Sequence, residues 1–424
     1  MRRLASVALL SCAGAASAGV LVEPRVGADF EHFGETYRVT ADRDTVSVVD
    51  DYGTFAGIHL KSAERPIEGW EIDVEGYAGY STRRAQARFE GRWKRASDRL
   101  ELRQEASYRV FTDDGDYTVS GDHFEDRLLA SWEHELGGPW SLRLKHAFDG
   151  TWYEQPTEYN LTAWTNEPRA EIRVDLGEWS RLRAGVRWAK RDVPDSTTLG
   201  YTRRGAEAVL AWLGGESSVE ISELLQRRDY DDASVRSSSW ENRAEARLEL
   251  GFGDRATCRL LHENEILRYD DPDDLDYDSD WGRTGLALEL HQSHNLDFSV
   301  MPVYAFLVSG TSAVEEYEEI GIEIGFDWRV GQLGWISVSN EVGRRNYEVN
   351  APEEEPSLDT LDSDIGVVDA YSDYTYDRLT LLVGADPRRD VVVDLFVHWQ
   401  PEAHDVRRHD SDTQIVSGGI TYKF

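Results

Sequence analysis

The sequence predicts an all-β chain closed into one antiparallel transmembrane β-barrel of about 20 strands, with roughly 16–20 compatible with the turn signals. Three observations carry this prediction. Apolar and charged residues alternate with a period of two over runs longer than the strands of most soluble proteins. Tight-turn signals recur at a nearly constant interval along much of the chain. No apolar run after residue 18 is long enough for a membrane-spanning helix.

Residues 1–18 read as a cleaved secretory signal. Arg2 and Arg3 precede the short apolar stretch Leu4–Leu10, and Ala16-Ser17-Ala18 has the small-x-small form of a cleavage site. The barrel is then expected to occupy residues 19–424. Cys12 follows Leu9-Leu10-Ser11 in a weaker, lipoprotein-like pattern, to which the cleavage site is preferred. With the signal removed, Cys258 is the lone cysteine, which excludes an intramolecular disulfide and a cysteine-based metal or redox motif. A secreted chain without a membrane helix is either soluble or a barrel.

The strands decide between these. From Leu100, one face reads Leu100, Leu102, Gln104, Ala106, Tyr108, Val110 and the other Arg99, Glu101, Arg103, Glu105, Ser107, Arg109. The same alternation sets Trp70, Ile72, Val74 against Glu71, Asp73, Glu75, and Phe89 and Trp93 against Arg88, Glu90, Arg92. It recurs at Glu171–Leu176, Arg181–Trp188, Arg243–Leu250 and Glu319–Trp328. Turn signals fall near Arg65-Pro66, Ala96-Ser97-Asp98, Gly137-Gly138-Pro139, Gly177-Glu178, Gly214-Gly215, Gly253-Asp254, His294-Asn295, Gly331-Gln332 and Asp386-Pro387. From the third to the eighth the interval is roughly 38–41 residues, one hairpin plus one opposite loop. Longer acidic connections such as Asp113–Asp122, Asp270–Asp280 and Val349–Ala370 lie between them. Short turns on one side and long loops on the other are the membrane-barrel pattern.

Trp70, Trp93, Trp132, Trp140, Trp179, Trp212, Trp328 and Trp335 all fall within a few residues of a predicted tight turn. The lipid–water boundary favours indole, whose ring is apolar and whose N–H is polar. The chain ends Ile415-Val416-Ser417-Gly418-Gly419-Ile420-Thr421-Tyr422-Lys423-Phe424, with Ile420, Tyr422 and Phe424 on one face. This ending resembles the terminal strand of Gram-negative outer-membrane β-barrels of the porin-like class. The resemblance implies that Ile420, Tyr422 and Phe424 are read by the barrel-assembly machinery, with outer-membrane lipid and lipopolysaccharide as the surroundings. Size and plan are also similar to barrels that accompany exopolysaccharide systems.

The other strand face carries mixed charge. Candidate lumen-lining residues are Arg88, Arg92, Arg99, Glu101, Arg103, Glu105, Arg173, Arg181, Arg183, Arg187, Arg243 and Arg247. Neighbouring strands are expected to join them in cross-strand ladders that brace the wall and leave a polar lumen. Arg181, Arg183, Arg187 and Arg191 share a face with no acid between them. Either acids on adjacent strands pair with them, the preferred reading, or an anionic solute is drawn there. The leading functional expectation is passage of polar solutes, or export of a polysaccharide, with no cofactor. A non-conducting barrel that scaffolds a surface complex is the alternative.

Other chemistries fit less well. A formal net charge of −34 argues against nucleic-acid binding. The acidic run from Asp270 to Asp280 lacks the glycine and glutamate of a calcium loop, and the second acidic stretch, Glu353–Asp364, is read like it as solvated surface. His291-Gln292-Ser293 resembles the His-x-Ser piece of the outer-membrane phospholipase family, but its strand runs toward a tight turn, the wrong side for that activity. His398, His404 and His409 lie near Asp405, Asp410 and Asp412 without a defined spacing, so no enzyme is expected.

Overall fold

The structure, a computed structural model, describes residues 20–40, 43–62, 69–80, 82–111, 121–156, 160–196, 198–273, 276–310, 315–331, 333–349, 372–388, 390–405 and 410–424. The expected signal segment, the Arg65-Pro66 turn, His409, Gln332, most of Asp113–Asp122 and nearly all of Val349–Ala370 lie outside the described residues.

The strands are β1 (Val20–Thr40), β2 (Arg43–Ser62), β3 (Gly69–Gly79), β4 (Thr82–Arg95) and β5 (Asp98–Phe111). They continue as β6 (His123–Gly137), β7 (Trp140–Tyr153), β8 (Ala163–Asp175), β9 (Ser180–Asp192) and β10 (Tyr201–Gly214). Next come β11 (Ser217–Tyr230), β12 (Ser239–Gly251), β13 (Ala256–Tyr269), β14 (Ser279–Ser293) and β15 (Leu296–Ser309). The last are β16 (Tyr317–Arg329), β17 (Gly334–Tyr347), β18 (Tyr374–Arg388), β19 (Val391–His404) and β20 (Ser411–Lys423). Each pairs antiparallel with its sequence neighbours, and β1 pairs with β20 from Arg25↔Lys423 onward, so the 20-stranded sheet is closed. Following directly opposed residues once round the wall returns to β1 displaced by about 24 residues. With that stagger the strands tilt about 40° and the backbone cylinder is roughly 40 Å across. Closure leaves no edge strand, as a wall immersed in lipid requires.

Two observations assign the faces. Side chains of one parity meet over intervening strands: Arg283 on β14 reaches Glu341 on β17 at 3.5 Å, and Arg203 on β10 reaches Glu167 on β8 at 2.7 Å. A reach of three strands is short only on the concave side of a curved sheet. The other parity holds Val186, Leu286 and Ile320, which are 61%, 51% and 63% exposed. Apolar surface of that extent is suited to lipid rather than water. Cys258 belongs to this outer set, opposite Leu250 and Leu288.

Tryptophans ring the outer wall near both ends. Trp93, Trp132, Trp140, Trp212 and Trp328 lie toward the short turns, and Trp152, Trp164, Trp188 and Trp240 toward the opposite end. Trp93 lies over Gly91, Trp152 over Gly150 and Trp212 over Gly214, so a Cβ at any of these glycines would collide with an indole. Trp335 departs from the expected outer belt. It is opposite Arg329 and Gly384 on the parity of Ser337 and Ser339, and so lies on the inner face.

The two ends are closed by different chemistry. Every described residue with positive φ sits at the short-turn end: Ala96 and Gly137, Gly138, Gly177, Gly215, Gly253 and Gly331. At the other end, side-chain acceptors cap the last strand amides. Asp122 accepts from Phe111 N at 3.0 Å, Thr162 from Tyr153 N at 3.2 Å, Ser238 from Tyr230 N at 3.3 Å and Asp278 from Tyr269 N at 2.7 Å. Glu316 does so for Ser309 at 3.0 Å, Asp373 for Tyr347 at 2.7 Å and Asp410 for His404 at 2.8 Å. The short-and-long rule also has an exception, because β1–β2 and β3–β4 are joined by short connections at the capped end.

Candidate functional site

Arg88, Arg92, Arg99, Glu101, Arg103 and Glu105 lie on the concave face of β4 and β5. Register sets Arg92 opposite Glu101, Arg88 opposite Glu105 and Arg103 opposite Glu90. The ion pairs run along the strands instead: Arg88 reaches Glu90 at 3.2 Å, Arg92 binds the same carboxylate, and Arg99 meets Glu101 at 2.6 Å. Arg247 likewise pairs with Glu245, and Arg173 with Asp175 at 3.4 Å. Directly opposed Cβ atoms are only about 5 Å apart, too close for two long arms to meet end to end. Residues two apart on a strand are roughly 6.6 Å apart, a better match for arginine and glutamate. True cross-strand pairs also occur: Arg243 with Glu265 at 2.5 Å and Arg181 with Asp175 at 2.9 Å. Glu105 accepts from Gln86 at 2.8 Å, while Arg103 has no ion pair among the described residues.

The β9 arginines are distributed differently from the preferred reading. Only Arg181 finds an acid. Arg183 faces Arg173 across β8, Arg187 faces Arg169 and binds Gln226, and Arg191 faces Thr165 and Tyr201. None of Arg183, Arg187 and Arg191 makes an ion pair with a described carboxylate. One recess opens beside Arg183, and a second lies further round the wall. The first, of about 330 Å³, is bounded by Arg169, Arg183 and Arg243 with Glu171, Glu207 and Glu245 over Gly185, and the second, of about 550 Å³, by Arg88, Arg103, Arg143 and Lys145 with Glu90, Glu101 and Glu167. Elsewhere on the inner face acids and bases sit together: on β3 Asp73 and Glu75 meet Arg25 at 3.2 and 3.4 Å, and on β16 Glu319 pairs with Arg345.

The inner face of β14 and β16–β18 holds one tightly knotted cluster. Glu319, 6% exposed, accepts Arg345 Nε at 2.8 Å and Tyr376 Oη at 2.9 Å. Tyr376 Oη is also 3.1 Å from Glu341, which Arg283 and Arg378 approach at 3.5 and 3.6 Å. The Arg345 guanidinium lies 4.1 Å from the Tyr317 ring centre and 5.5 Å from that of Tyr374. The alternation places Glu319 on the charged face but does not single out Arg283, Glu341, Arg345, Tyr376 and Arg378, nor Lys145, Glu167, Arg169, Arg203 and Arg228. On the outer face, the polar Asn166 on β8 and Thr375 and Asp377 on β18, with Pro168 breaking the run on β8, blur the period there.

The histidine candidates do not converge. His291 is on the inner face at the short-turn end, with Nδ1 2.6 Å from Asp297 and Nε2 3.2 Å from Thr257; Ser293 lies beyond it at the turn. His398 meets Thr380 at 3.1 Å, and His404 meets Ser372, which is 1% exposed, at 2.8 Å. Asp405 is taken by Arg344 at 3.0 Å, and Asp412 is on the outer face. In the Asp270–Asp280 loop the carboxylates serve as local partners: Asp270 for Arg227, Asp276 for Ser237 N, Asp278 for Tyr269 N and Asp280 for Arg268. Among the described residues, no group of three or more His, Cys, Asp or Glu is arranged to hold a metal ion.

At the closure, Ile420 and Tyr422 point outward, 55% and 38% exposed, and the Tyr422 and Phe424 rings meet edge to face at 4.7 Å. Phe424 N donates to Pro24 O at 3.0 Å, anchoring the end of the chain to β1.

A closed 20-stranded antiparallel wall, apolar outside and charged inside, is the architecture of Gram-negative outer-membrane β-barrels. Solved structures of that class superpose on nearly the whole chain. The FrpB iron transporter of Neisseria meningitidis matches with a TM-score of 0.54 and 9% identity over 95% of this chain and 81% of its own. The siderophore receptor PirA of Pseudomonas aeruginosa gives 0.53 and 8% over 94% and 80%, and OccK1 (OpdK) of the same organism 0.50 and 10% over 95% and 98%. At such identities the likeness is one of fold. No family model matches the sequence, and no curated protein matches it.

Proposed function

We propose that this protein is an outer-membrane channel that passes small polar solutes through the charged interior of its barrel. On this reading residues 1–18 direct export and are removed, and Ile420, Tyr422 and Phe424 deliver the barrel to its assembly machinery. The observation that carries the proposal is the sorting of charge onto the concave face of a wall roughly 40 Å across. A cylinder of that width is too wide for side chains to fill from the wall alone, and its inner surface is polar enough to hold water. The along-strand ion pairs lie against the wall rather than bridging the lumen, which favours passage over a braced, closed core. Planar-bilayer recording on purified, folded protein tests this. Discrete conductance steps are expected, and a heat-modifiable barrel that inserts without conducting would overturn the channel reading.

A further inference from the structure

We propose that β8–β11 form an oxyanion-binding bed on the inner wall, so that the solutes handled by this barrel are small organic acids or phosphorylated compounds. This deepens the channel reading and rests on it. The bed is built by register. Arg203 on β10 stands between Ala189 on β9 and Arg228 on β11, and Arg187 lies across Gly205 from Gln226. Ala189 is only 1% exposed, and Gly205 adds no side chain, so the floor is low and the arginines around it supply the walls. Arg191, one rung toward the capped end, faces the Tyr201–Tyr230 edge-to-face pair.

Glu167, Glu207 and Glu241 are the described carboxylates of this part of the inner face, and the arginines outnumber them. Glu167 is shared by Arg169 and Arg203, at 2.5 and 2.7 Å. Arg187, Arg191 and Arg228 have no described carboxylate within ion-pair distance. Arg228 instead lies 5.3 Å from the Tyr201 ring centre. The Nε atoms of Arg187, Arg191, Arg203 and Arg228 are all buried without a hydrogen-bond partner. Arg25, Arg84, Arg88 and Arg143 share that feature elsewhere in the wall, but they lie apart from one another or beside carboxylates, whereas Arg187, Arg191 and Arg228 combine it with the lack of an ion pair. Guanidinium groups offer planar, paired donors that suit carboxylate and phosphate oxygens. Arg183 lies further toward the short-turn end, beside a recess over Gly185 that Glu171, Glu207 and Glu245 also line, so the excess of arginine is confined to the bed itself.

The experiment measures reversal potential in a potassium chloride gradient, and block of the open channel by sodium gluconate and by inorganic phosphate. Arg187→Gln/Arg191→Gln/Arg228→Gln is compared with Arg127→Gln, which removes an inner-face arginine paired with Asp149 at 3.0 Å, outside the bed. The triple variant is expected to lower chloride-over-potassium permeability several-fold and to weaken block by both probes at least tenfold, with Arg127→Gln close to wild type. Block by gluconate alone would assign carboxylates, and block by phosphate alone phosphorylated solutes. A conducting wild type whose selectivity and block are unchanged in the triple variant would overturn the bed while leaving the channel intact. A non-conducting wild type would instead remove the channel reading itself.

Discussion

Removing the Glu319 carboxylate should cost this barrel more stability than almost any other single side-chain change on its inner face. The reason is what remains behind. Arg345 would keep its place between the Tyr317 and Tyr374 rings but lose the carboxylate that accepts its Nε at 2.8 Å. Tyr376 would lose one of its two acceptors, and its ring is held over Gly343, where even a Cβ would collide with it. Breaking a buried pair by deleting one partner costs about 3–5 kcal/mol, since the surviving charge is left unpaired. Glu319→Ala should therefore fall in that range. Glu319→Gln keeps the volume and an acceptor for Tyr376, and should cost about 1–2 kcal/mol. Guanidinium unfolding in detergent micelles, followed by tryptophan fluorescence and by the gel shift of the heat-modifiable form, measures both. Additivity of Glu319→Gln and Arg345→Gln, or a Glu319→Ala barrel within about 0.5 kcal/mol of wild type, would refute the argument.

Three further outcomes follow from other parts of the wall. Deleting Phe424 should leave export intact but sharply reduce folded barrel in the membrane, as judged by fractionation and heat modifiability. Asp278→Ala should remove the cap on Tyr269 N, worth about 1 kcal/mol, and speed amide exchange at the capped ends of β13 and β14 while the Gly253 and His294 turns stay protected. At the rim, a hydrogen bond with Glu316 holds the Glu348 carboxyl above the usual glutamate range, so the folded state binds that proton more tightly than the unfolded one. The rim should lose protection as pH rises through that raised value, and Glu348→Gln should abolish the dependence in pH-resolved hydrogen exchange.

Much of the wall was legible in the sequence because the period of two is enforced by two solvents. Where both act, as from Arg99 to Val110, the outer residues must be oily and the inner ones ionic, and strand and face can be read together. Turns at Gly137-Gly138 or Gly214-Gly215 are legible for a separate reason: the backbone there needs positive φ, which glycine supplies without strain. Legibility fails where one constraint lapses. Near the capped end the outer face leaves the apolar zone, so Thr375 and Asp377 look like lumen residues and hide the strand that carries Tyr376. Trp335 illustrates the converse, an indole that proximity to a turn assigned to lipid while strand parity places it inside. Partner choice is the least legible quantity. Alternation specifies a face but not whether a guanidinium turns along its own strand or across it, which depends on arm lengths and on the stagger of the whole wall.

That distinction explains how a chain so rich in acids comes to hold unpaired arginines. Carboxylates have two competing uses here. One is to neutralise arginine on the concave face, and the other is to cap strand amides at the open end, where no described glycine adopts positive φ. Asp122, Asp278, Asp373, Asp410 and Glu316 are all spent on amides. Acids fixed at the rim cannot also reach several residues down a tilted strand to serve Arg187 or Arg183. Within the wall, β9 offers no acid between Arg181 and Arg191, and on neighbouring β8 Glu167 is already shared by Arg169 and Arg203 and Glu171 is held by Lys145. The local excess of positive charge is thus set by strand composition and geometry together, and the net charge of the chain says little about the charge a solute meets inside it.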